Sequence, residues 1–222
     1  MARFAGFVLL LVLFPFAATA QDHSIAKTDS PAPTDAIAPE IASTLSPAGF
    51  KVNKGSQAAI EFWPAKEWPV EANVAIGGEV LYPLTPGQLV GVARYSRKGA
   101  DFRDQEIPAG TYIVRYAQQP VDGAHVGTSP TRDFFTLLPA AKERQPATLD
   151  YKTLIGVAKQ TTGTEHPAIL SLQRPQDAGD SPSIRHDGDH DWTIVRFTGK
   201  TKQGGMTKEL PVELVVVGKA AE

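Results

Sequence analysis

The stretch Ile107-Pro108-Ala109-Gly110-Thr111-Tyr112-Ile113-Val114-Arg115-Tyr116-Ala117-Gln118 decides the fold class. Proline presets its own backbone angle and glycine admits the left-handed region, so Pro108 and Gly110 make a tight turn. Beyond the turn Tyr112, Val114 and Tyr116 fall on one face at period two, the spacing of a β-strand.

The same pattern extends in both directions. Ala58 to Trp63 alternates Ile60 and Phe62 with Glu61 and Trp63. Val74 and Ile76 make a run ended by Gly77-Gly78, Glu79 to Leu84 another stopped by Thr85-Pro86-Gly87, and Gln88 to Ser96 a further one. Asp133 to Leu138, Ala168 to Gln173, Trp192 to Thr198 and Glu209 to Val217 follow downstream. Gly204-Gly205 lies between the last two runs and marks a hairpin loop. Short alternating runs bounded by Gly and Pro predict a mainly β protein, an antiparallel β-sandwich of jelly-roll or immunoglobulin-like type. One segment departs from this period. Leu154, Ile155 and Ala158 stand at helical spacing between Asp150, a capping residue type, and Gly163, a terminator. One short helix is expected there, plugging an end or side of the sandwich.

The chain has 222 residues, 42% hydrophobic and 21% charged, which excludes disorder throughout. It has no cysteine, which excludes disulfide staples, zinc–thiolate centres and a cysteine nucleophile. A net charge of -2 provides no electrostatic footprint for nucleic acid.

Residues 1–20 read as a secretory signal peptide. Arg3 supplies the positive start, Phe4 to Phe16 the apolar run, and Ala18-Thr19-Ala20 the small residues before a cleavage site. Cleavage is expected after Ala20, so the expected location is periplasmic or secreted. No later stretch approaches a membrane span. Residues 21–47 read as a flexible Pro/Ala-rich linker without a core role, with Pro31, Pro33 and Pro39 among small and polar residues. Residues 48–222 then form a single β-sandwich domain.

Common catalytic signatures are missing: no Gly-x-Ser-x-Gly elbow, no His-Glu-x-x-His and no Gly-x-Gly-x-x-Gly. Ser24-Ile25-Ala26-Lys27 matches the Ser-x-x-Lys of penicillin-binding enzymes without its partner motifs, and Gly199-Lys200-Thr201 lacks the upstream glycine of a phosphate loop. Four places retain chemical interest. In Arg185-His186-Asp187-Gly188-Asp189-His190-Asp191, the residues His186, Asp187, Asp189 and His190 are metal-ligating types for a divalent cation. Trp192 stands where a calcium loop needs glycine, and Gly188 disfavours the helix on which two histidines four apart would bind zinc. The simpler reading is a solvated acidic loop.

The loop between Pro120 and Asp133 carries Asp122, His125 and Ser129, triad residue types with no local oxyanion hole. Here His125, Arg132 and Asp133 are binding candidates, because long loops gather binding residues. His166 precedes the Ala168 run and is the fourth binding candidate. Finally, Trp63 and Trp68 stand close enough to form a sugar-stacking platform, although aromatics more often serve the core.

The order of Ile107-Pro108-Ala109-Gly110-Thr111-Tyr112, the stretch Gln119 to Phe134, and His166 to Leu172 resembles a family of exported bacterial proteins of unknown function. The resemblance covers most of the chain after residue 48 and implies a β-sandwich and export. It brings no activity and no site residues. The expectation is therefore an exported, non-catalytic β-protein that binds a small ligand, a glycan or an envelope protein through its loops. No organic cofactor is expected. The alternative is a metal-binding or metal-assisted hydrolytic protein using the loop histidines and carboxylates.

Overall fold

A computed structural model describes residues 23–28, 30–71, 76–78, 80–122, 131–176 and 179–220. The expected signal peptide lies outside the described residues. In chain order the elements are β1 (His23–Thr28), α1 (Pro39–Ala42), β2 (Gly49–Lys54), β3 (Gln57–Pro64), β4 (Trp68–Pro69), β5 (Leu89–Tyr95), β6 (Gly99–Ala100), β7 (Glu106–Ile107) and β8 (Gly110–Gln118). These are followed by β9 (Asp133–Pro139), a 3-10 turn (Ala140–Lys142), α2 (Tyr151–Thr162), β10 (Leu170–Gln173), β11 (Ser183–Asp187), β12 (Trp192–Gln203) and β13 (Met206–Val217).

The protein is mainly β, as its alternation predicts: most strands join one curled sheet, and β6 and β7 pair as a small second sheet. One hydrogen-bonded path runs β1-β2-β3-β5-β8-β9-β10-β13-β12-β11, antiparallel at every step. β10 makes the path continuous, because Leu170 and Ser171 pair with β9 while Leu172 and Gln173 pair with β13. The sheet curls on itself. Phe62 of β3 and Phe197 of β12, far apart along the path, have ring centroids 5.2 Å apart, and Phe50 lies 5.1 Å from Phe197. β4 extends from β3 to pair in parallel with β12 at Thr201 and Lys202, which makes the sheet mixed.

Both faces of the curled sheet are buried. The inner face packs alternate residues such as Val114, Tyr116, Phe135, Leu137, Val195 and Leu214 into one core. The intervening residues, among them Ile113, Phe134, Leu138, Ile194 and Val215, form a second core on the outer face. Two-sided burial explains why β8 and β9 read as almost continuous apolar runs. It also accounts for the two tryptophans. Trp63 and Trp68 are fully buried, and their indole nitrogens donate to the carbonyls of Ser30 (2.8 Å) and Val90 (2.9 Å). Neither ring is open to a sugar.

Residues 21–47 require a correction. The described part of the expected linker is structured: β1 pairs with β2 from His23↔Lys54 to Thr28↔Gly49. Ile37, Ile41 and Leu45 are buried in the outer core. Proline content misled here, since Pro39 opens a helix rather than a mobile tether, and α1 is a helical turn beyond the single helix expected. The run Glu79 to Leu84 also differs from expectation. Gly77 and Val80 form an isolated bridge, and no strand follows from Leu81 to Leu84. The Leu81 amide donates to the Asp133 carboxylate (2.7 Å) instead of to a neighbouring strand. Val74 lies outside the described residues, and Ile76 is in no strand.

The helix forms where the sequence places it. Asp150 accepts from the Thr153 amide at 3.0 Å, and Gly163, at φ 67, donates its amide to the Lys159 carbonyl at 3.0 Å. Arg115 holds the segment leading into α2. Its buried guanidinium donates to the carbonyls of Gly87 (2.6 Å), Ala147 (2.8 Å) and Gln145 (2.7 Å) and lies 3.3 Å from Glu143. Burial pulls the Arg115 guanidinium down, and Glu143 opposes that shift. The contact at Gly87 requires glycine, because its φ is 89° and a Cβ there would sit 1.9 Å from the Leu149 carbonyl oxygen.

Candidate functional site

α2 has two working faces. Leu154, Ala158 and Thr161 are buried against the sheet, and the Thr161 hydroxyl donates to the Leu137 carbonyl at 2.6 Å. Tyr151, Ile155 and Lys159, spaced by four, line a cleft of about 520 Å³ instead. The opposite walls come from the 102–104 loop, the 165–169 segment and the chain near Lys219 and Ala220. Phe134 and Ile169 contribute further apolar surface.

The wall around Phe102 is fixed by one carboxylate. Asp101, buried after the short β6 strand, accepts from the amides of Arg103 (2.9 Å), Gln105 (2.8 Å) and Ile169 (2.8 Å) and from Gln105 Nε2 (2.8 Å). Gln105 also donates to the Pro167 carbonyl (3.2 Å), while its own side-chain oxygen accepts from the Thr164 hydroxyl (2.5 Å). The Phe102 amide donates to the Ile169 carbonyl at 2.7 Å, and the Ala220 amide to the Phe102 carbonyl at 2.9 Å. Phe102 packs edge-on against Trp192 at 5.2 Å, and the Trp192 indole donates to the Lys219 carbonyl at 2.8 Å. Three segments distant in sequence are thus tied around one ring.

The rim carries charge. Lys159 pairs with Glu165 at 3.3 Å, and Lys219 lies 4.0 Å from Asp104. Arg103 lines the cleft, and among the described residues its guanidinium makes no hydrogen bond or ion pair. Tyr151 is 50% exposed at the mouth, and partial burial together with Asp122 raises its phenol.

The sequence-predicted binding residues are distributed unevenly around this cleft. His166 lines it. Arg132 stands behind the rim, with Nε and Nη2 donating to the Gln119 carbonyl at 3.0 and 2.7 Å. Asp133 faces the inner core, where it accepts from Tyr116 Oη and the Leu81 amide. Burial raises the Asp133 carboxyl, with these bonds acting in the opposite direction, and burial likewise raises the Tyr116 phenol. His125 lies outside the described residues, as does Ser129.

The metal candidates occupy the β11–β12 turn. Asp187 Oδ1 lies 3.2 Å from His190 Nδ1 and accepts from the Asp189 amide at 3.1 Å. These bonds, His190 first, hold the Asp187 carboxyl below the usual range. His186 is the neighbouring strand residue, so it projects to the other face, where its Nε2 lies 3.7 Å from Asp191 Oδ1. His190 stacks on Trp192 at 4.3 Å. Among the described residues no group of three or more His, Asp or Glu side chains is placed to hold a metal ion. Also among the described residues, no helix is long and apolar enough to cross a membrane.

Sequence reading missed Asp101, Phe102 and Arg103. The available signal was Asp101 with Asp104 shortly after it, since aspartate favours an Asx turn. In comparisons with known proteins, the chain matches no family model, no curated protein and no solved structure.

Proposed function

We propose that this chain is an exported, non-catalytic β-protein that binds a small organic ligand in the cleft beside α2. The observation that carries the proposal is the cleft of about 520 Å³, with an apolar floor at Phe102, Phe134, Ile155 and Ile169 and a charged rim. That size and mixture suit a small-molecule site. Export is supported by the Arg3, Phe4-to-Phe16 and Ala18-Thr19-Ala20 pattern. Membership in a family of exported bacterial β-proteins rests on the resemblance of residues 107–134 and 166–172 alone.

A heat-stability screen of small organic compounds tests this function. A ligand at a hundred times its Kd stabilises by about 2.7 kcal/mol, a rise of roughly 5–10 °C in Tm for a chain of this size. The same compounds are expected to leave Ile155→Trp, whose indole covers part of the apolar floor, unshifted. A set of compounds that stabilises both proteins equally would place binding elsewhere, and turnover of a stabilising compound would remove the non-catalytic part.

A further inference from the structure

The cleft has a sign. Among the described residues its charged lining consists of Arg103, Lys159 and Lys219 against Asp104 and Glu165, an excess of one cation, on a chain whose net charge is -2. Glu165 faces Lys159 and Asp104 faces Lys219, so the two carboxylates are matched. The excess therefore rests on Arg103.

Position strengthens this assignment. Arg103 follows Phe102, whose backbone is held on both sides by Ile169 and Ala220. Its own amide is fixed by Asp101 at 2.9 Å. The backbone beneath the guanidinium is thus anchored while the head group stays uncommitted among the described residues. A guanidinium offers a planar fork of donors that fits a carboxylate with two parallel bonds. The apolar floor begins one residue away, at Phe102.

Resting on the proposed cleft-binding function, we propose that the ligand is an amphipathic organic anion. Its flat or branched apolar body lies over Phe102, Phe134 and Ile155, and its carboxylate-class head group is held by Arg103. The neutral analogue of the same body binds more weakly, because it offers the guanidinium neither a charge nor a second acceptor oxygen.

The test uses 2-naphthoate and 2-naphthamide, which share a body and differ in charge. Both are titrated into the purified protein, and backbone amide resonances are followed. The expected result is that both probes shift resonances of the 102–105 and 165–169 segments, with the carboxylate bound about tenfold tighter, the scale of one charge-assisted contact. Arg103→Gln removes that advantage by weakening the carboxylate far more than the amide, while Arg103→Lys restores part of it. Ile155→Trp loses both probes. Equal affinity of the two probes, or an Arg103→Gln variant that still prefers the carboxylate, overturns the anion assignment and leaves the cleft function standing. If neither probe shifts those segments, the cleft function and the anion assignment fall together.

Discussion

The Asp101 carboxylate accepts from the amide of Ile169 at 2.8 Å, across 68 residues of chain. The bond is buried and joins the 101–105 loop to the entry of β10. With the Arg103 amide, the Gln105 amide and Gln105 Nε2, it gives one side chain four donors. The cleft owes its rear wall to that side chain.

Asp101→Asn is expected to destabilise the protein by about 2–3 kcal/mol, because an amide group faces donors where the carboxylate accepted them. Urea unfolding measures the loss. A change below about 0.5 kcal/mol would mean that the loop holds its shape without Asp101.

Tyr116→Phe is expected to cost about 1–3 kcal/mol, since a buried carboxylate loses a donor. The same site predicts a pH dependence. Burial raises the Asp133 carboxyl, so the folded state keeps its proton to higher pH than the unfolded state. Its contribution favours the fold below the ordinary aspartate range and is lost as pH rises through the raised value. In urea unfolding across that acidic window, the wild type should therefore lose stability relative to Asp133→Asn as pH rises. A difference that moves the other way would contradict the burial argument.

Gly87→Ala should damage the approach to α2 from a distance. A Cβ at Gly87 meets the Leu149 carbonyl oxygen at 1.9 Å, and the residue's φ of 89° strains any L side chain. A loss of about 1–3 kcal/mol is expected from overpacking and strain. Circular dichroism should also show lower helical signal if Leu149 and Asp150 shift from their places. Unchanged melting would show that the 143–149 segment moves freely.

Ile155→Trp should leave the fold intact while narrowing the cleft over its apolar floor. Ile155 lies on the cleft face of α2, and the sheet-facing Leu154 and Ala158 are untouched. Its melting temperature is expected within a few degrees of wild type, since surface substitutions away from special features change stability by roughly 0.5 kcal/mol or less. A cooperative unfolding transition shifted down by more than about 10 °C would show that Ile155 belongs to the core.

The strands were legible where alternation met a Gly or Pro boundary, as at Gly110 opening β8 and Gly204-Gly205 between β12 and β13. The helix was legible through its ends, Asp150 and Gly163. Residues 21–47 were not, because Ile37, Ile41 and Leu45 are three apolar residues among prolines, and only the outer face of the sheet gives them a core. The curl was hidden too: period two assigns faces but does not say whether one sheet or two will cover them. His166, singled out by its residue type, lines the cleft. Asp133 looked similar in sequence and faces the interior, since a carboxylate at a strand start serves either side. In the His186-to-His190 stretch, His186 and Asp187 project to opposite faces, as adjacent strand residues do. Arg103 and Phe102 gain meaning only from Ile169 and α2, and no local pattern carries contacts at that range.

Hydrogen–deuterium exchange with the most stabilising compound from the heat screen tests cleft binding most directly. Added protection is expected in the 102–105 loop, in α2 and in the 165–169 segment, and it should vanish in Ile155→Trp. Protection confined to the β11–β12 turn or to the β12–β13 hairpin, with the cleft segments unchanged, would contradict the site.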